Sequence, residues 1–131
     1  MNTRSRRGAA AVGLGVAVAT GLVSRAIHLG WFLWDKSVGD VASAVMVGFL
    51  VQLVRPRTSA IVTAGLAIAI CFAIELFQLT GLLAHLPRAL RIVLGDTFAW
   101  HDVSCYAFGG AVAGLVVFAQ ARSTGPKNAS G

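Results

Sequence analysis

Apolar residues gather in four long stretches, at 8–27, 38–54, 60–79 and 103–121, separated by short polar breaks. A helix that crosses the hydrocarbon of a bilayer needs about 20 mostly apolar residues, with roughly 17 to 25 observed. Each stretch meets that length and none has proline in its interior, so they read as the four spans of an all-α membrane bundle in a single domain. Pro56 follows the second stretch at once, where its missing N–H and its clash with the preceding turn stop a helix. The break at 55–59 is short enough to make the second and third spans an antiparallel hairpin. The longer break before the fourth span has a pattern of its own. Pro87 suits a first helical position and Gly95 the residue past the end. Leu86, Leu90, Val93 and Leu94 fall on one face, with Arg88 and Arg91 on another. This predicts a short interfacial helix lying in the membrane plane. The tail 122–131 is too polar to bury and reads as disordered.

Composition agrees with lipid as the main solvent. Mean hydropathy is +0.76 and only 12% of residues are charged, whereas a soluble domain keeps about a quarter charged. The net charge of +6 does not point to nucleic acid, because the basic residues punctuate apolar runs instead of clustering with aromatics on one face. Arg4, Arg6 and Arg7 ahead of the first stretch resemble a signal-peptide n-region. No small-x-small site closes that stretch, however, and Arg25 follows at once, so it is read as a retained span. Arg4, Arg6, Arg7, Arg55, Arg57, Arg122 and Lys127 lie on one side of the layout, and Arg25, Lys36, Arg88 and Arg91 on the other. The more basic side belongs in the cytoplasm, which places both termini inside. Trp31, Trp34 and Trp100 then occupy outer loops, where indole rings anchor at headgroup level. Cys71 and Cys105 sit inside apolar stretches and read as free buried thiols.

Against this background, polar residues near the span ends matter. Arg25 closes the first span, Asp40 opens the second, Glu75 and Gln78 close the third, and Asp102 opens the fourth with Tyr106 one turn deeper. At about 1.5 Å per residue, Glu75 lies roughly 22 Å up a core about 30 Å thick, in its outer half. All these groups therefore fall near one depth, and charge at that depth is a functional-site hypothesis by default. Three carboxylates facing one arginine need a proton, a cation or further arginine. Arg88 and Arg91 are candidates, although they could equally reach lipid phosphates, which is the reading for Lys36. Asp40 and Asp102 could also be plain N-caps, but Glu75 lies near a helix C-terminus, where the dipole disfavours an anion. Gly110 and Gly114 form a small-xxx-small pair that lets another backbone approach, either within the bundle or from a second copy in a homodimer.

No HExxH, CxxC, GxSxG or phosphate-binding glycine loop is present, and His101 and Asp102, as sequence neighbours, point apart. Neither a metal, a cofactor nor a catalytic set is expected, and the chain leans away from being an enzyme. Gly39-Asp40, Glu75-x-x-Gln78, Arg88 and Arg91 leading to Val93-Leu94-Gly95, Phe98-x-Trp100-x-Asp102 and Tyr106-x-x-Gly109 together resemble a small bacterial membrane family catalogued as domain of unknown function 2809. More distantly, Glu-x-x-Gln, then Arg, then Asp with a glycine-rich last helix resembles VanZ-like proteins, which are linked to teicoplanin resistance by a non-enzymatic mechanism at the cell envelope. In that family the position of Tyr106 is commonly Asn. The resemblance implies a multi-pass protein of the bacterial inner membrane. Its outward pocket, formed by Arg25, Asp40, Glu75, Gln78, Arg88, Arg91, Asp102 and Tyr106, would bind a lipid headgroup or envelope precursor. The alternatives are a small proton-coupled exporter using Glu75, and a structural partner in a larger membrane complex.

Overall fold

A computed structural model describes residues 2–31, 33–90 and 99–123. Among them, four helices are long and apolar enough to cross a membrane. They are α1 (Thr3–Ala26), α2 (Val38–Val54), α3 (Ala60–Leu79) and α4 (Trp100–Ser123), and no strand occurs among the described residues. α1 and α4 start earlier than the apolar stretches they contain. Asn2 caps α1 by accepting from the Ser5 N–H at 2.9 Å, and the arginines that follow are good helix formers. At α4, Trp100, His101 and Asp102 join the helix ahead of the apolar run.

The expected hairpin of α2 and α3 is present. Arg55 N–H closes α2 on Val51 O at 2.8 Å, and Ser59 caps α3 by accepting from Val62 N–H at 3.4 Å. Gln52 secures the turn from inside, donating to Thr58 O at 3.0 Å and to the buried Thr63 hydroxyl at 2.5 Å. Arg6 ties α1 to the same turn by donating to Pro56 O at 3.3 Å. At the far end of α3, Gly81 takes the left-handed conformation, φ +71°, that stops a helix. Residues 88–90 are helical, while the rest of the expected interfacial helix, including Arg91, lies outside the described residues, as does the tail from 124 onward.

α2 packs on α1, α3 and α4, and α3 packs on α4. Small residues fill the seams: Ala44, Ala67 and Ala113 have no exposed surface. A Cβ added at Gly109 would lie 2.5 Å from the Val41 carbonyl oxygen and 2.7 Å from Ala44 Cβ. At Gly110 it would lie 2.5 Å from Ile68, and at Gly114 3.0 Å from the Ala60 carbonyl oxygen. The glycine face of α4 thus serves contacts within the chain. Among the described residues, Gly8, Gly15 and Gly65, on α1 and α3, are the helical glycines with open space beyond them. Large apolar side chains point outward, with Ile61 86% and Val54 73% exposed, an arrangement suited to lipid.

This up-and-down order gives the bundle two chemically distinct ends. One gathers the start of α1, the α2–α3 turn and the end of α4. The other gathers the starts of α2 and α4 and the end of α3, and it carries the described acidic residues Asp35, Asp40, Glu75 and Asp102.

Candidate functional site

The acidic end is shaped by the connection from α1 to α2. Asp35 folds this loop by accepting from Leu29 N–H at 2.9 Å and Gly30 N–H at 3.1 Å, and Trp34 Nε1 donates to Ile27 O at 3.1 Å. Gly30 has φ +71°, a conformation that glycine adopts without strain. A π-helical turn over Leu33–Ser37 then leads into α2 without a break. Such wide turns recur at functional sites, and this one presents two side chains to α4. Lys36 Nζ lies 3.2 Å from Asp102 Oδ1, and Ser37 Oγ lies 2.7 Å from His101 Nε2. Cys105 Sγ, one turn further along α4, lies 3.4 Å from the same His101 nitrogen.

Beneath this layer the three carboxyls converge. Glu75 is 1% exposed, and Tyr106 donates its hydroxyl to Glu75 Oε1 at 2.6 Å. Glu75 Oε2 and Asp40 Oδ2 are buried with no hydrogen-bond partner among the described residues. Among the described residues, the charged neighbours of Asp40 are Asp102, Lys36 and Glu75, and the Asp102 carboxyl is near enough to interact with that of Asp40. Among the described residues, three acids surround one lysine, which leaves two surplus negative charges when all are ionised. A low-dielectric interior tolerates that only with a proton or a further cation. Cys71, Ala44, Val47, Ala67 and Tyr106 form the apolar floor.

The expected residues fare differently. Asp40, Glu75, Asp102 and Tyr106 come together from α2, α3 and α4. Gln78 is half-buried on the Glu75 face, one turn beyond it. Arg88 is exposed and makes no ion pair among the described residues. Arg25 does not take the place expected for the central cation. It lines a groove with Gly21, Leu22, Gly39, Ser43 and Met46, and its Nε is 3.9 Å from where a Gly39 Cβ would be. The reason is helical phase: neighbouring positions are about 100° apart, so Gly39 and Ser43 face α1 while Asp40 and Ala44 face the interior. The cation at Asp102 is Lys36, which was expected to reach lipid phosphates. Lys36, Ser37, His101 and Cys105 were missed as a group, although two signals existed. Lys36 precedes Asp40 by four residues, and His101 precedes Cys105 by four, spacings that share a helix face. Trp31 and Trp100 are 60% and 75% exposed, as suits indole rings at an interface.

An apolar groove adjoins the cluster. It has a volume of about 540 Å³ between α1, α2 and α4, and is lined among others by Val16, Val41, Val45, Phe49 and Phe108. It reaches Ser37 at the acidic end. Among the described residues, no three His, Cys, Asp or Glu side chains are arranged to hold a metal ion.

Tyr106 is the clearest link between α4 and α3 here. Tyr106→Phe is expected to cost about 2 kcal/mol, because it leaves Glu75 Oε1 buried without its donor. Thermal unfolding in detergent, with membrane insertion checked separately, measures it.

No curated protein and no solved structure matches the chain significantly. A family model described as protein of unknown function (DUF2809) matches residues 29–110, a span that holds Lys36, Asp40, Glu75, Asp102 and Tyr106. That span is more than half of the chain, and the chain is a member of this family.

Proposed function

We propose that the acidic end faces outward in a bacterial inner membrane and binds a lipid with a cationic headgroup, holding it without catalysing a reaction on it. The observation that carries this is the surplus of buried carboxylate: among the described residues, Glu75 Oε2 and Asp40 Oδ2 have no hydrogen-bond partner and Lys36 is the cation paired with the three-acid cluster. A headgroup amine supplies the missing charge and donates hydrogen bonds to those oxygens. Lys36, one third exposed on its side chain, stands where it can meet the lipid phosphate. The groove that ends at Ser37 suits an acyl chain, being apolar and running along α2 at the depth of the hydrocarbon.

Mass spectrometry of the protein released gently in detergent tests this. The expected result is a retained lipid with a cationic headgroup, lost both in Glu75→Gln, which removes charge, and in Val45→Trp, which fills the groove. A retained polar precursor that survives Val45→Trp would point to a soluble envelope ligand. Absence of any retained molecule from the unaltered protein contradicts the reading.

One observation favours a second reading. Glu75 is fully enclosed and hydrogen-bonded on a single oxygen, which suits a group that takes up and releases a proton. A proton-coupled exporter then shows substrate-driven proton flux in liposomes that Glu75→Gln abolishes, whereas a binding protein shows none.

A further inference from the structure

The opposite end of the bundle carries a second feature that the acidic cluster does not explain. Arg6 and Arg57, with Asn2 and Thr3, line a cleft of about 430 Å³ between the start of α1 and the α2–α3 turn. A second cleft of about 450 Å³ is lined by Thr3, Arg7, Arg55, Pro56, Arg57 and Thr58. The two share Thr3 and Arg57, so they adjoin. Neither is lined by an acidic residue, and the described acids all lie at the far end.

Four guanidiniums are thus gathered around one concavity with no carboxylate to balance them. Like charges do not collect in this way without cost. Arg6 is held in place by its hydrogen bond to Pro56 O at 3.3 Å. A guanidinium has five N–H donors, so that bond leaves others for a ligand. Arg7, Arg55 and Arg57 are exposed. Thr3 adds a hydroxyl to the rim, while the Thr58 hydroxyl donates to Arg55 O at 2.8 Å and so braces the turn. Planar guanidinium forks match phosphate oxygens in geometry as well as charge.

We propose that these adjoining clefts form a binding site for the phosphate of an anionic phospholipid. A lipid is favoured over a free phosphate because the clefts lie where α1, α2 and α3 leave the apolar part of the bundle. That is the level at which phospholipid phosphates sit along a spanning helix. The site stands apart from the acidic cluster: it lies at the other end of every helix and takes a ligand of opposite charge.

Phosphatidylglycerol and phosphatidylcholine, titrated separately onto the full chain in detergent and counted by native mass spectrometry, test the site. Phosphatidylglycerol is expected to bind more tightly. The preference should fall about fivefold for each arginine removed, and Arg7→Gln with Arg57→Gln should abolish it. Among the described residues, neither of these side chains makes a hydrogen bond or ion pair that holds the fold together. Arg122→Gln is the control, since Arg122 lies at the same end but stacks on Phe118 at 4.8 Å; it should leave the preference unchanged. Glu75→Gln should also leave it unchanged, so failure of the acidic-end reading does not touch this one. Equal binding of the two lipids overturns the proposal. So does an equal loss with Arg122→Gln, which would reflect diffuse charge. Displacement of phosphatidylglycerol by millimolar inorganic phosphate overturns the lipid as the ligand.

Discussion

Gly109→Leu is expected to destabilise the protein by about 3 kcal/mol, the upper part of the range for overpacking a tight interior. At this position a first side-chain carbon would lie 2.5 Å from a backbone carbonyl oxygen of α2 and 2.7 Å from Ala44 Cβ. Neither neighbour is the far end of a flexible side chain, so relief requires α2 and α4 to move apart. That motion would also separate Asp40 from Asp102, because the two helices carry one carboxyl each. Gly65→Leu is the matched control: it adds the same side chain to a spanning helix where nothing lies within 4 Å, and it should leave stability within about 0.5 kcal/mol. Thermal unfolding of both variants in one detergent measures the contrast.

Lys36→Met is expected to cost about 2 kcal/mol. Removing one partner of a fully buried ion pair costs about 3–5 kcal/mol, and the 34% exposure of the Lys36 side chain reduces that. The loss arises because Asp102, 6% exposed on its side chain, would face Asp40 and Glu75 with no cation between them among the described residues. If so, Asp102→Asn in the same chain should recover part of the loss, with a coupling of about 1 kcal/mol in the double-mutant cycle. If Lys36 simply extended to lipid phosphates, the two substitutions would add with no coupling.

The four long apolar helices were legible because length with apolar content is enough to mark a helix able to cross a bilayer. The hairpin was legible from Pro56, and the closeness of the helices from the glycines of α4. The convergence of Asp40, Glu75 and Asp102 at one depth followed from counting residues along antiparallel helices. The partner of those acids did not, because depth alone leaves rotation about each helix axis free. Arg25 and Lys36 both lie near the acidic end, and in the packing of α1 on α2 Ser24 and Arg25 meet α2 at Gly39. The π-helical turn, which presents Lys36 and Ser37 to α4, has no local sequence signature of the kind that proline or glycine supplies. Asp35 likewise carries no local signature, because its role in holding Leu29 and Gly30 depends on the path of the chain.

The most direct measurement of the central claim is the affinity of the purified chain for an amine-headed phospholipid, phosphatidylethanolamine, compared between the unaltered protein, Glu75→Gln and Asp102→Asn. Surplus buried carboxylate held for a cationic headgroup gives a loss of about tenfold in each variant, equivalent to about 1.4 kcal/mol, with both variants inserted and folded. Affinities equal across all three proteins would contradict it.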